Sequence, residues 1–591
     1  MSATELDLSA SLLDRPHHDG SDLYVVERPE ELGGEAVVRI RVPQEVESVV
    51  LRWVEDGEAR GVKASEEEGG WWRARFPVPN PNVRYRWLLS GGEVGYAWLN
   101  GFGLVPHDVP DADDFVLSLD RGGPAWHLDS VVYEIFPDRF ATTGGGGAPP
   151  EWAVPRAWDE LPEGRGPDTP YEWFGGDLGG VEAHLDHIES LGANVIYLTP
   201  VFPAGSTHRY DSTTFERVDP LLGGDEALAS LTRAAHARGI RVISDLTTNH
   251  TGDKHEWFVG GERDLYLFDE QGDYEAWWGI KSLPKLNWLS PELRRRLQAT
   301  ARKWLQPPYG LDGWRVDVAN MSGRTGGTDV NADVAPTLRE VLEPESLLVA
   351  ENFHDFRTDF AGWHGVMNYA GFSRPVWMWL RGDVEIPYLG LPASMPRLGG
   401  EASVAAMRAF RAGVPWQFVL HSWSILDSHD TPRFRSMAGS RARQLVGVGL
   451  QMTMPGVPMV FAGDELGLEG DWGEDARRTM PWARQDDWDP GLLDEYRRLI
   501  ALRRSSPALT RGGIRFAFVD DDVIAYLRET RGERLLCLAS RDEHAPIRLP
   551  LSALGAQELE RLHGTDAELE GDDAVLPAAG PAFHVWRLTN G

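Results

Sequence analysis

The sequence predicts an α/β protein, a (β/α)8 TIM barrel set between an N-terminal and a C-terminal β-sandwich. Three observations predict it. The 591-residue chain is longer than one hydrophobic core serves. Its two ends read as short alternating strands punctuated by Gly, Pro, Asn and Asp. Its middle repeats strand then helix about eight times over roughly 380 residues, the size of a barrel with insertions.

Composition sets the outer limits. A chain that is 42% hydrophobic and 25% charged is globular rather than disordered. Its net charge of −33, from 91 acidic against 58 basic side chains, repels nucleic acid and anionic lipid and favours a neutral or cationic ligand, although solubility alone is the readier explanation. The single cysteine, Cys537, rules out an intrachain disulfide, and its apolar run Leu535-Leu-Cys-Leu538 makes it a core thiol. No stretch approaches a membrane span, and the first twenty residues lack a basic region followed by an apolar one. The expectation is a cytoplasmic protein with no membrane or nucleic-acid partner.

The N-terminal sandwich is expected over residues 1–125, as a module like those that bind carbohydrate. Its strands fall at 22–27, 36–41, 49–54, 71–77, 83–89 and 115–119. Trp53, Trp71, Trp72, Trp87 and Trp98 could stack on sugars, but filling the core accounts for most of them. The barrel is expected over 126–508, with a short inserted subdomain near 253–292. Strand candidates are 131–136, 193–199, 240–246, 313–318, 346–350, 422–426 and 457–462. Between them, 180–191 and 226–238 are helical, the second placing Leu228, Leu231 and Ala235 on one face before Gly239. Helix 291–305 has Ser290 as cap, Pro291 in its first turn and Leu293, Leu297, Ala301 and Trp304 along one side. A doubly wound sheet would show a glycine-rich turn opening a helix; the run Gly144 to Gly147 lies in a loop instead. The C-terminal sandwich, 509–591, offers strands at 515–519, 523–527, 534–539 and 583–588.

Barrel chemistry sits at the C-terminal ends of the strands, where an apolar strand has no need of charge. Four such ends carry it. Strand 240–246 runs into Asp245, Asn249 and His250. In Trp314-Arg-Val-Asp-Val318, Arg315 and Asp317 are two apart, on one side of a strand, so the guanidinium can hold the carboxylate ionised. Leu347-Leu-Val-Ala-Glu351 delivers a lone carboxylate from apolar surroundings, which favours a raised pKa and a proton donor. Ser424 to Arg433 brings His429, Asp430 and Arg433. Each alone reads more readily as a cap or ion pair, and Asp245 is expected to be structural. Together, three carboxylates with Arg and His meet the needs of retaining glycoside hydrolysis: a nucleophile, an acid/base and groups for sugar hydroxyls. No G-x-S-x-G, H-E-x-x-H, C-x-x-C or P-loop Gly-Lys competes.

At these residues the chain resembles the α-amylase superfamily, glycoside hydrolase family 13. The likeness runs through Asp245 to His250, Gly313 to Asn320, Val349 to Phe353 and Leu426 to Asp430. Val132-Tyr-Glu-Ile-Phe-Pro-Asp-Arg-Phe140, Gly175 to Gly179, His208-Arg-Tyr-Asp211, Leu283-Pro-Lys-Leu-Asn287 and Gly456 to Glu465 support it in the family's order. The resemblance implies Asp317 as nucleophile, Glu351 as general acid/base and Asp430 as the carboxylate on the 2- and 3-hydroxyls. It also implies Tyr210 under the sugar ring, His250, Arg315 and His429 as hydrogen-bond donors, and Asp211 and Arg433 as lesser binding residues.

Within the family the chain looks most like cyclomaltodextrinases, neopullulanases and maltogenic amylases. This implies α-1,4 cleavage, with some α-1,6, in cyclodextrins and short maltooligosaccharides, and a homodimer. An exo-acting α-glucosidase, a glucan transglycosylase and a catalytically silent sugar-binding relative are the alternatives. Three departures from the group's pattern stand out. Asn320-Met321 replaces Asn-Glu, and Phe353 stands where a tryptophan is usual, leaving a smaller ring for acceptor stacking. After Phe140, Ala141-Thr-Thr and four glycines replace a loop of Asn and Asp that in relatives holds calcium, so no cofactor is required and a calcium site near Asp177 is expected to be incomplete.

Overall fold

The computed structural model describes residues 11–144, 147–388 and 391–590. Eight parallel strands close into a barrel in chain order. They are β1 (Val132–Ile135), β2 (Val195–Leu198), β3 (Arg241–Thr247), β4 (Gly313–Asp317), β5 (Leu347–Asn352), β6 (Gly365–Asn368), β7 (Trp423–Ile425) and β8 (Val457–Phe461). All eight lie between the barrel lumen and the outer helices, which is why they read as nearly unbroken apolar runs and why their few polar residues stand out. Register fixes the neighbours of those polar residues: Glu134 pairs with Tyr197, Asp245 with Arg315, and Thr247 with Asp317.

The expected helices form for the expected reasons. The helix Pro291–Leu305 starts where Ser290 Oγ accepts from Leu293 N at 3.3 Å, and it buries Leu293, Leu297, Ala301 and Trp304. The helix Gly224–His236 buries Leu228, Leu231 and Ala235. The stretch expected as one helix over 180–191 is two, Leu178–Ala183 and Leu185–Leu191, broken at His184, whose ring stacks on Trp482 with centroids 4.1 Å apart. Strand β6 has no counterpart in the expected set. Its four residues, Gly-Val-Met-Asn, include only two apolar ones, Val366 and Met367, too few to show an alternating or unbroken apolar run. Gly365 is required there, since a Cβ would lie 2.3 Å from the His421 carbonyl oxygen.

The N-terminal module packs a four-stranded sheet on a six-stranded one. Trp53, Trp87 and Trp98 are buried in it, as core filling predicts. The C-terminal module has a five-stranded sheet, in which Cys537 is buried with its thiol pushed up to about 12, and a three-stranded one. One face of the five-stranded sheet joins the barrel's own core through Ile514, Phe516, Tyr526 and Val585, whereas the N-terminal module keeps a separate core. Among the described residues no helix is long and apolar enough to cross a membrane.

Candidate active site

Three carboxylates converge at the C-terminal end of the barrel, and Arg315 is the residue that joins them. Fully buried on β4, it donates from Nη1 to Asp317 Oδ1 at 3.1 Å and to Asp245 Oδ2 at 2.8 Å, while its Nη2 lies 2.9 Å from Glu351 Oε1. The Asp317 and Glu351 carboxylates are therefore separated by little more than one guanidinium. A second link comes from the backbone: the Val318 amide donates to Glu351 Oε2 at 2.7 Å. Val318 does so at φ 35, a left-handed conformation in which a β-branched residue is strained, so the turn after Asp317 is held by its surroundings rather than by preference.

Burial and mutual repulsion raise the pKa of Asp317, against the pull of Arg315. Burial likewise raises Glu351, with Asp430 adding to it and Arg315 opposing. Burial and repulsion from nearby carboxylates thus favour the protonated form of both acids, with Arg315 opposing, and a buried carboxyl shifted upward is the kind of group that can donate a proton.

Asp430 behaves differently. Its side chain is 29% exposed, with His429 Nε2 at 3.2 Å from Oδ2 and Arg477 Nη2 at 3.2 Å from Oδ1. These cations outweigh burial and lower its pKa, so it stays ionised. His429 is held from behind: its Nδ1 lies 2.6 Å from Glu134 Oε1, both groups being fully buried. Burial pulls His429 down, yet Asp430 and Glu134 together raise its pKa. Tyr210 completes this side, its ring parallel to His429 at 5.8 Å and its hydroxyl 2.7 Å from His429 Nε2 and 3.0 Å from Asp245 Oδ2.

On the opposite side His250 Nε2 is buried without a hydrogen-bond partner, 3.9 Å from Asp317 Oδ2. Burial, with repulsion from His208 and Lys285, drops its pKa to about 3, leaving a neutral imidazole free to bond a ligand hydroxyl. Trp277 stacks on His250 at 5.7 Å and meets Met321 through its indole N–H, and Phe353 stacks face to face on Tyr369 at 3.7 Å.

Asp317, Glu351, Asp430, Tyr210, His250, Arg315 and His429 thus form one group, with Phe353 beside Glu351. Two lesser candidates leave it. Arg433 corrects the expectation of ligand binding: it is buried, its Nη1 paired with Asp464 Oδ1 at 2.8 Å and its other donors spent on the carbonyls of Ala462 and Ala476. The carboxylate of Asp211 closes its own loop, accepting from Gly205 N at 3.0 Å and from the Ser206 hydroxyl. Asp245, expected to be structural, is the anchor for Arg315, Tyr197 and Tyr210.

Sequence reasoning missed Glu134, Tyr197, Trp277 and Arg477. A carboxylate inside the apolar strand Val132-Tyr-Glu-Ile was a signal of the same kind as Glu351. As for a metal near Asp177, its oxygens already accept from Gly180 N at 2.6 Å and from Thr143 N at 2.9 Å and Oγ1 at 2.8 Å, which makes it a helix cap. No group of three or more His, Cys, Asp or Glu able to hold a metal occurs among the described residues. Two of the four loop glycines, 145 and 146, lie outside them.

A closed barrel with this acid group at its C-terminal mouth has the architecture of glycoside hydrolases, and comparison with known proteins agrees. The model of the α-amylase catalytic domain matches residues 134–277 and 262–356. A cyclomaltodextrinase of Geobacillus thermopakistaniensis is 31% identical over 550 residues, covering 86% of this chain and 87% of that protein. Neopullulanase 2 of Thermoactinomyces vulgaris is 29% identical over 558 residues, covering 86% and 88%. Among solved structures, a cyclic α-maltosyl-(1→6)-maltose hydrolase of Arthrobacter globiformis superposes with a TM-score of 0.64 at 30% identity, covering 79% of this chain and all of that one. A cyclomaltodextrinase superposes with a TM-score of 0.71 at 25% identity, covering 98% of this chain and all of that one. The chain belongs to the α-amylase family and is a glycoside hydrolase.

Proposed function

We propose that this enzyme hydrolyses α-1,4-glucosidic bonds in cyclodextrins and short maltooligosaccharides with retention of anomeric configuration. The observation that carries the reading is the single Arg315 guanidinium shared by Asp317 and Glu351. Two carboxylates gathered on one guanidinium support a nucleophile and proton-donor pair, and retention requires the two to lie roughly 5 to 5.5 Å apart.

In the first step Asp317 attacks C1 from one face while Glu351 gives its proton to the departing glycosidic oxygen. In the second Glu351, now ionised, takes a proton from water as that water attacks C1 and releases Asp317. Asp430, its pKa lowered, accepts from two sugar hydroxyls, and His429, its pKa raised, and neutral His250 hydrogen-bond the sugar. Tyr210 supplies an apolar face beneath it. Relatives named for cyclomaltodextrin and pullulan support the choice of short and cyclic α-glucans.

Met321, which receives the Trp277 indole N–H at 3.2 Å, puts an apolar surface next to the site. This favours hydrolysis over transfer to a sugar acceptor that would need a hydrogen-bonding group there. A chromatographic product panel on β-cyclodextrin, maltotriose, pullulan, panose and starch tests the reading. Faster cleavage of β-cyclodextrin than of starch is expected. Glucose as the sole product from every substrate would replace the reading with an exo-glucosidase, and new longer oligosaccharides without glucose would replace it with a transferase. Sedimentation of the purified chain checks the homodimer that the family likeness suggests.

A further inference from the structure

Where the three parts of the chain meet, a cavity of about 140 Å³ is lined by Arg15, His17, His18, Arg408, Arg411 and Arg515 together with apolar and backbone groups. No Asp or Glu lines it. In a chain with 91 acidic side chains and a net charge of −33, four arginines around one cavity with no carboxylate in its lining is a concentration of charge that calls for a cause; burial lowers both histidines, His18 to about 4, so the arginines carry it.

The arginines are not equivalent. Arg515 is neutralised by a two-point pair with Glu529, at 3.1 and 3.0 Å. The Arg408 and Arg411 side chains make no hydrogen bond or ion pair among the described residues; Arg408 only lies over the Phe516 ring, its guanidinium carbon 4.9 Å from the centroid. They are three apart on the helix Gly400–Arg411, so they face the same side and repel each other. Asp19, whose charge acts on Arg411, is already engaged by Ser21 N at 2.9 Å and Ile514 N at 2.8 Å, with His17 Nε2 at 3.9 Å. Both arginines are half-buried. Burial and then the charges of Arg411 and Arg15 lower Arg408 to about 10. Charges gathered this way are costly without a counter-ion.

We propose that this junction cavity binds a phosphate group, carried by inorganic phosphate or by a sugar phosphate. Two adjacent guanidinium forks match phosphate oxygens bidentately. The space holds on the order of ten waters, enough for a phosphate with a short organic remainder. Because Leu99 to Leu104 come from the N-terminal module, Arg408 and Arg411 from a barrel helix and Arg515 and Phe516 from the C-terminal sheet, a bound anion would tie all three together. None of the lining residues belongs to the carboxylate group, so the site stands whether or not the glucan reading holds.

The test is titration calorimetry of the full chain with inorganic phosphate and, separately, with glucose 6-phosphate, in chloride buffer of matched ionic strength, paired with melting curves. Expected are one saturable site per chain and a melting midpoint raised by at least about 1 °C over chloride. Arg408→Gln/Arg411→Gln should lose both responses while melting, without phosphate, no lower than wild type, because a repulsion has been removed. If that variant does not fold, Arg408→Lys/Arg411→Lys, which keeps charge but loses the forks, should bind at least about tenfold more weakly. Tighter binding of the ester assigns the site to sugar phosphates, and equal binding assigns it to the phosphate group alone. No binding heat, an equal effect of chloride, or full binding by the substituted chain would overturn the proposal.

Discussion

Arg315 holds the electrostatics of the active site in one side chain, because two carboxylates bond to it and a third lies at ion-pair distance. Removing either charge it organises should therefore stop turnover without unfolding the protein. Asp317→Asn and Glu351→Gln should each lower kcat by roughly three orders of magnitude or more, with circular dichroism and melting curves close to wild type. Normal rates from either would remove it from its proposed role. Glu134 acts one step further back, through His429. Glu134→Gln keeps a hydrogen-bond acceptor but drops the charge that helps His429 hold its proton. Because the folded pKa of His429 is raised, its charged form persists as pH climbs until that pKa is passed. The variant should lose it earlier, so KM should start rising about one pH unit below the wild-type value. An unchanged KM profile across pH, with only a lower melting point, would make Glu134 merely structural. These residues differ in how visible they are in sequence. Asp317, Glu351 and Asp430 stand out as charges where apolar strands stop. Glu134 and Tyr197 lie inside strands, and only the register that sets them side by side gives them a shared purpose.

At the scale of elements, periodicity was a good guide wherever the chain announces its ends. Ser290 and Pro291 mark one helix start, Gly239 lies just past another helix end, and both helices bury the faces their spacing predicts. It failed where an element is too short to show a period, as in β6 with its two apolar residues. It also failed where a side chain outside the helix decides its course, as Trp482 does at His184. Asp177, near which the sequence leads to an incomplete calcium site, has a capping role that only the folded chain displays, since its partners Gly180 and Thr143 lie on either side of it in sequence. Asp177→Ala should cost about 0.5–2 kcal/mol, read from the urea midpoint, since it releases Gly180 N and both Thr143 donors. A loss of activity reversed by added calcium, with no change in stability, would return Asp177 to the metal-ligand reading.

At the scale of the whole molecule, the two sandwiches attach differently although they read alike in sequence. The C-terminal sheet shares its core with the barrel, through residues whose side chains point away from the sandwich interior. The N-terminal module closes its own core around Trp87 and Phe76. Alternation reveals that a strand has two faces but not what each face meets. Limited proteolysis in rising urea should therefore release the N-terminal module first and leave barrel and C-terminal sandwich as one fragment. Early release of the C-terminal sandwich would mean that the shared core contributes little.

Retention requires Asp317 and Glu351 to act on one anomeric carbon, the first as nucleophile and the second as proton donor. Proton NMR of the sugar released in the first seconds of maltotriose or cyclodextrin cleavage, before mutarotation, tests this most directly. The α-anomer should appear first. Initial formation of the β-anomer would contradict it.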